Sequence, residues 1–180
     1  LANDSVAAVD FLRKQTHFQT SGIGLIGMSQ GGWIAPVAAS KADKLAFVVS
    51  VSGATVTPEE QLVFEEMHNI EPYTYQFIAE WLAPLTSARL MKMDFFQPWI
   101  GFDPIAYWQA VDSPVFFAFG EGDTNMPVDA SIQRLQTNQL GHHTIKTYPG
   151  GGHGIRQPQS PHMNDQFLSD LANFVLRSTE

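Results

Sequence analysis

A chain of 180 residues, 44% hydrophobic and 12% aromatic, fits one globular domain with a sizeable core, and this composition excludes a disordered polymer. Ten basic against eighteen acidic residues give a net charge of −8 without any Lys/Arg run, so neither nucleic acid nor an anionic membrane surface is an expected partner. The absence of cysteine removes disulfides and thiolate chemistry, and the longest apolar stretches are strand-sized, far below the roughly 20 residues of a membrane span.

The first residues, Asn3-Asp4-Ser5, are helix-capping types, and Val6, Val9 and Leu12 follow at helical spacing, which predicts a helix over 4–15. Residues 24–28 are short and apolar, a buried strand. Trp33, Ile34, Val37 and Ala38 then repeat on one helical face, with Gly32 expected to leave room for the ring of Pro36. Residues 45–51 are β-branched and aromatic, a second buried strand. Residues 54–112 change character: they are rich in Met, Trp, Phe and Tyr and broken by five prolines, which predicts two or three irregular helices.

Regularity returns at a strand over 114–119. Pro127 then opens a helix with Val128, Ile132 and Leu135 on one face. Residues 144–148 alternate as a strand. Asn164 caps a last helix striped with Phe167, Leu168, Leu171, Phe174 and Val175. Strands alternating with helices make parallel βαβ units, and strands buried on both faces suit these near-continuous apolar runs. The expected fold is α/β: a parallel sheet of about four strands flanked by helices, with a helical cap or lid over 54–112 and a body made of 1–53 and 113–180.

Three constellations carry chemistry. Gly27-Met28-Ser29-Gln30-Gly31 is a G-x-S-x-G run between a strand and a helix. A serine lifted on so sharp a turn needs neighbours without Cβ atoms two before and two after, and the helix N-terminus supplies a positive field for a developing oxyanion. A glycine-rich turn holding a packing serine is the alternative. Gly120-Glu121-Gly122-Asp123 directly follows a strand, where a carboxylate faces the ligand crevice, although a capping aspartate would stand there too. Asp112 and Asp129 are rivals at less favourable positions. Gly150-Gly151-Gly152-His153-Gly154 follows the last strand and can bring an imidazole over the serine.

His142 and His143 precede their strand, and His17, His68 and His162 read as surface or cap residues. No metal site is expected, since no helical His/Glu pairing is present. Gly22-Ile23-Gly24-Leu25-Ile26-Gly27 matches a dinucleotide fingerprint, but it forms the strand itself instead of following one, so no nucleotide cofactor is expected.

Taken together, the order Ser29, Asp123, His153 at successive strand ends resembles the α/β-hydrolase superfamily along the whole chain. The stretches GMSQGGWIAP, FDPIAYWQAVDSPVFFAFGEGDTNMP and YPGGGHG are most similar to bacterial members near dienelactone hydrolase and to the bile-acid type of acyltransferase/thioesterase domain. Dienelactone hydrolase itself uses cysteine where this chain has Ser29, so its substrate does not carry over. The resemblance implies Ser29 as nucleophile, His153 as base and Asp123 as acid, acting on an ester or thioester. The backbone N–H of Gln30 would be one oxyanion donor. Trp33, Met67, Phe77, Trp81, Met91, Phe95 and Trp99 are candidates for an acyl pocket, each with core packing as its alternative.

The family's first four strands have no counterpart here, nor has the loop bearing the second oxyanion donor. A C-terminal segment of a larger protein is therefore expected, with an open sheet edge at residues 24–28 and a homo-oligomer as the consequence. An inert binding module of the same fold, or an acyltransferase with an amine acceptor, are the competing functions. The chain begins at Leu1 without an initiator Met, as expected of a segment from within a domain; no signal peptide is visible, and the compartment is left open, with cytoplasmic expected ahead of secreted.

Overall fold

A computed structural model describes residues 1–15, 22–138, 140 and 143–180. It contains β1 (Leu25–Met28), β2 (Val48–Val51), β3 (Val115–Gly120) and β4 (His143–Tyr148), all parallel and in the spatial order β1-β2-β3-β4. Seven α-helices accompany them among the described residues: α1 (Ala2–Arg13), α2 (Gly31–Ala39), α3 (Pro58–Ile70), α4 (Gln76–Leu90), α5 (Pro104–Trp108), α6 (Val128–Thr137) and α7 (Asp165–Thr179). The expected α/β sheet of four parallel strands is the observed one.

A sheet whose strands follow one another in space, joined by right-handed crossovers, puts every crossover helix on the same face. The two apolar clusters record this. On one face Val48, Val115, Phe117 and Phe119 pack with Val9 of α1, Trp33 and Ala35 of α2, Ile105 and Trp108 of α5, and Val128 and Leu135 of α6. On the other face Val49, Val51, Phe116, Ala118 and Tyr148 pack under Phe167, Leu171, Phe174 and Val175 of α7. The period-two alternation Val115/Phe116/Phe117/Ala118 feeds the two layers in turn. Each fully buried side chain of this size contributes about 1.5–3 kcal/mol.

Several expectations shift in detail. Asn3-Asp4-Ser5 lie inside the first turn of α1, whose N-cap is Leu1 without a side-chain cap bond. Regular pairing of the second strand starts at Val48, later than expected, although Ala46 N–H already donates to the Ile23 carbonyl and Leu25 N–H to that of Phe47. Gly32 is required by another neighbour than the Pro36 ring: a Cβ there would lie 2.5 Å from the Gly53 Cα, where α2 meets the end of β2. Asn164 does cap α7, its side chain accepting from Phe167 N–H at 3.1 Å. Leu168, placed on the apolar stripe by its spacing, is exposed.

Residues 58–90 form a helical hairpin. Thr57 and Glu60 make a reciprocal capping box that starts α3, and Pro58 occupies its first turn. The hairpin then gives way to a short 3-10 turn over Gln97–Trp99 and to α5, whose Ile105 and Trp108 belong to the core of the sheet's face. No described helix is long and apolar enough to cross a membrane.

Candidate active site

The three chemical constellations lie just beyond the C-terminal ends of β1, β3 and β4, and the register of the parallel sheet sets those ends along one edge, with β2 between β1 and β3. Ser29 follows Met28 with φ of 54°, the left-handed region that an L-residue adopts at a cost, as a nucleophile elbow demands. Its N–H donates to the Val51 carbonyl at 2.9 Å, and its carbonyl accepts from Gly32 N–H at 2.8 Å, so the turn is pinned on both sides. Gly27 is obligatory here: a Cβ would stand 2.1 Å from the Gly31 carbonyl oxygen. Gly31 itself faces open space, so the spacing rule holds for its first glycine on steric grounds and the burden of the second passes to Gly32.

Asp123 and His153 arrive on two loops stitched together by backbone. Gly122 N–H donates to the Gly151 carbonyl at 2.7 Å and Glu121 N–H to that of Tyr148 at 3.2 Å. A Cβ on Gly120 would meet the Gly152 carbonyl oxygen at 2.3 Å, so this glycine permits the close approach of the loops. The His153 loop is then fixed by Ile155, which is fully buried.

The side chains make one continuous relay. His153 Nε2 lies 2.8 Å from Ser29 Oγ, and His153 Nδ1 lies 2.8 Å from Asp123 Oδ2. The Asp123 side chain is fully enclosed, and its second oxygen, Oδ1, accepts from Asn125 N–H at 2.8 Å and Met126 N–H at 3.3 Å. The hydrogen bond to Asp123 holds the His153 pKa above the ordinary imidazole value; burial opposes it, and the charges of Asp123 and Glu65 add to it. Among the described residues, the N–H of Gln30, beside Ser29 at the start of α2, has no protein acceptor.

These features can be set beside known proteins. The model of the family described as "BAAT / Acyl-CoA thioester hydrolase C terminal" matches residues 6–176. The chain belongs to that family. An esterase of Pyrococcus furiosus superposes with a TM-score of 0.67 at 15% identity, over 98% of this chain and 60% of its own. Acetyl xylan esterase 1 of Thermoanaerobacterium gives 0.62 at 17% identity, over 99% and 52%. An acylaminoacyl peptidase of Pyrococcus horikoshii gives 0.63 at 20% identity, over 96% and 26%. These likenesses show the α/β-hydrolase fold, and the chain spans at most about three fifths of those three structures. No curated protein sequence matches it.

The rival acids stand apart from the relay: Asp129 is exposed in the first turn of α6, and Asp112 is exposed ahead of β3. His68 Nδ1 contacts the Phe64 carbonyl, His143 begins β4 and His162 is exposed; His17 and His142 lie outside the described residues. No group of three or more metal-binding side chains occurs among the described residues.

The apolar candidates divide. Trp33 is buried, donates its indole N–H to the Ala54 carbonyl at 2.9 Å and packs against Trp99 with ring centroids 5.2 Å apart. Met91 is buried and Met67 half-buried, whereas Phe77, Trp81 and Phe95 are exposed. Two surface cavities, one along β1 and α1 and one around Leu45, Pro114 and Glu180, are lined by none of these seven.

Sequence reasoning passed over Asn125, Met126 and Glu65. The first two act through backbone N–H groups, which residue identity does not reveal, although a turn directly after an aspartate is the usual setting for such contacts. Glu65 on α3 receives a hydrogen bond from Asn125 Nδ2 at 3.3 Å, and burial pushes its pKa above the usual carboxylate range.

Proposed function

We propose that this chain is the catalytic part of a serine hydrolase of esters or thioesters. The observation that carries the reading is the relay with two 2.8 Å contacts from Ser29 Oγ through His153 to Asp123. Ser29 Oγ attacks the acyl carbonyl carbon as its proton passes to His153 Nε2, while Asp123 holds the Nδ1–H and stabilises the imidazolium. The oxyanion points toward the N–H of Gln30 at the positive end of α2. The C–O or C–S bond then breaks, the leaving group takes the proton from Nε2, and water, activated by the same imidazole, releases the acid. Within residues 54–112 the hairpin of α3 and α4 serves as the cap over the body formed by 1–53 and 113–180, while Ala54, Val56, Ile105 and Trp108 of the same segment pack into that body's core. The exposed Phe77, Trp81 and Phe95 are available to an acyl group, while Trp33 and Trp99 are committed to packing against each other.

A fluorophosphonate probe tests this directly, because phosphonylation needs an activated serine and mere binding does not. Mass spectrometry is expected to find the adduct on Ser29; an unlabelled, folded protein would instead favour an inert binding module.

The pH dependence has a definite sign. The base must be neutral, so kcat/KM rises with pH as His153 loses its proton. Since the folded-state pKa is raised, the midpoint is expected above the free imidazole value of about 6.5. A pH–rate profile with its midpoint at or below that value contradicts the arrangement.

Self-association is expected at β1. This strand pairs with β2 alone among the described strands, and Ile26 and Met28 are 58% and 47% exposed on the α7 face. No Lys, Pro or bulge guards the edge, so its free N–H and C=O groups can pair with a second copy. Equilibrium sedimentation of the 180-residue chain at tens of micromolar is expected to give a dimer; a stable monomer of 19.9 kDa overturns the expectation.

A further inference from the structure

The hairpin of α3 and α4 is hydrogen-bonded to the rest of the molecule at a single residue. Gln61 Nε2 donates to the Asn125 carbonyl at 3.3 Å, and Asn125 Nδ2 donates to Glu65 Oε1 at 3.3 Å. Gln61 and Glu65 are four residues apart, one turn of α3, so a single helix face grips Asn125 twice. Among the described residues these are the hairpin's side-chain hydrogen bonds to 1–53 or 113–180. Its other polar link to that body is the ion pair of Glu60 with Arg134 at 3.7 Å, in which Glu60 is exposed.

Asn125 is also the residue that holds the acid. Its backbone N–H donates to Asp123 Oδ1 at 2.8 Å, the shorter of the two bonds on that oxygen; Met126 N–H makes the other at 3.3 Å. That leaves Oδ2 for His153 Nδ1 at 2.8 Å. Any residue but proline supplies a backbone N–H, so the cradle alone does not call for an asparagine. The amide side chain adds the bond to Glu65, half-buried on α3.

We propose that Asn125 is a positioning residue that couples the α3–α4 hairpin to the catalytic acid: α3, seated on Asn125, fixes the turn whose N–H orients Asp123 and, through it, the imidazole. The proposal rests on the hydrolase reading above and gives the hairpin a part in the relay itself. Asp123 and Asn125 lie on the turn between β3 and α6, where Glu121, Gly122 and Thr124 are exposed and add no packing. A turn of that kind holds its geometry through its bonds. A misplacement of about 1 Å in a reacting arrangement costs up to about 100-fold in rate. The loss falls on kcat, because Asp123 acts most strongly on the imidazolium that forms in the transition state.

The experiment measures kcat and KM on the butyryl thioester of N-acetylcysteamine across pH. Asn125→Ala is expected to lower kcat by about ten-fold or more with KM little changed. The acidic limb of kcat/KM is expected to move to lower pH in that variant. The hydrogen bond to Asp123 is the largest cause of the raised His153 pKa, and Asp123 and Glu65 are the charged groups acting on that imidazole. A mere loss of folded protein lowers kcat and leaves the limb in place. Glu65→Leu, which removes the acceptor from the α3 side, is expected to lower kcat likewise, and Glu65→Gln, which restores an acceptor oxygen, to recover most of it. Glu60→Gln breaks the exposed ion pair and is expected to leave kcat within about two-fold.

A kcat that Asn125→Ala leaves within two-fold overturns the proposal, as does a loss carried by KM alone or an unmoved acidic limb. If Asn125→Ala does not fold, the Glu65 pair decides: equal impairment of Glu65→Gln and Glu65→Leu, or of neither, overturns it. In each of these cases wild-type Ser29 still reacts with a fluorophosphonate, and the hydrolase reading survives. Failure of that labelling overturns both.

Discussion

Replacing Ser29 by alanine is expected to lower kcat for ester hydrolysis by five to six orders of magnitude while the protein stays folded, since a triad serine acts as one unit with its base. The hydroxyl is half-exposed at the strand end, and its side-chain hydrogen bond is the one with His153 Nε2. Losing it removes a bond worth about 1 kcal/mol and no packed volume. The φ of 54° is as costly for alanine as for serine, so the backbone gains no new strain. Circular dichroism and the thermal midpoint should therefore match the wild type closely. Retention of more than about a tenth of kcat would falsify Ser29 as nucleophile, because binding and oxyanion stabilisation alone leave far less.

The second large effect is expected from Asp123→Asn, at about 10⁴-fold in kcat with near-normal substrate binding. The reason is visible in the surroundings of the carboxylate. Oδ1 accepts two backbone N–H bonds, from Asn125 and Met126, and Oδ2 faces His153 Nδ1. An asparagine must keep its oxygen toward the two N–H donors, which turns its NH₂ group toward the imidazole. His153 then accepts at Nδ1, carries its proton on Nε2, and has no lone pair for the Ser29 hydroxyl. Asp129→Asn, an exposed change in the first turn of α6, is expected to leave kcat within about two-fold. If the two variants exchange these phenotypes in steady-state assays, the acid is Asp129.

Most of the architecture and all three members of the relay can be read from local sequence, and the reason is the same for each. An elbow serine, a carboxylate after a strand and a histidine in a glycine loop are demands on a few adjacent residues, so spacing reveals them. The near-continuous apolar runs around Val49 and Phe117 likewise mark strands, because a strand buried on both faces is apolar at nearly every position. Glu65 shows where this ends. In the run Phe64-Glu65-Glu66-Met67 it reads as half of a solvated acidic pair, and nothing in the run separates it from Glu66. The two differ because α3 docks on the loop after β3, leaving Glu65 bonded to Asn125 and Glu66 near Asn69.

Glycines tell the same story in reverse. Gly27 and Gly31 look equivalent in the motif, yet a Cβ collides only at the first, and Gly32 is held by Gly53, 21 residues away. The apolar residues of 54–112 are similar in composition, but burial separates Trp33-bound Trp99 from the open Trp81. By itself the sequence determined which segments are strands and helices, that the sheet is parallel, and which serine, acid and histidine sit at its C-terminal ends, since each follows from periodicity or from a short steric rule. The tertiary structure alone decided which tryptophans pack and which of two adjacent glutamates bonds Asn125 beside the acid. The tryptophan packing and the glutamate's partner depend on contacts between segments 20 or more residues apart, where the approach of whole elements, and no local rule, sets the distance.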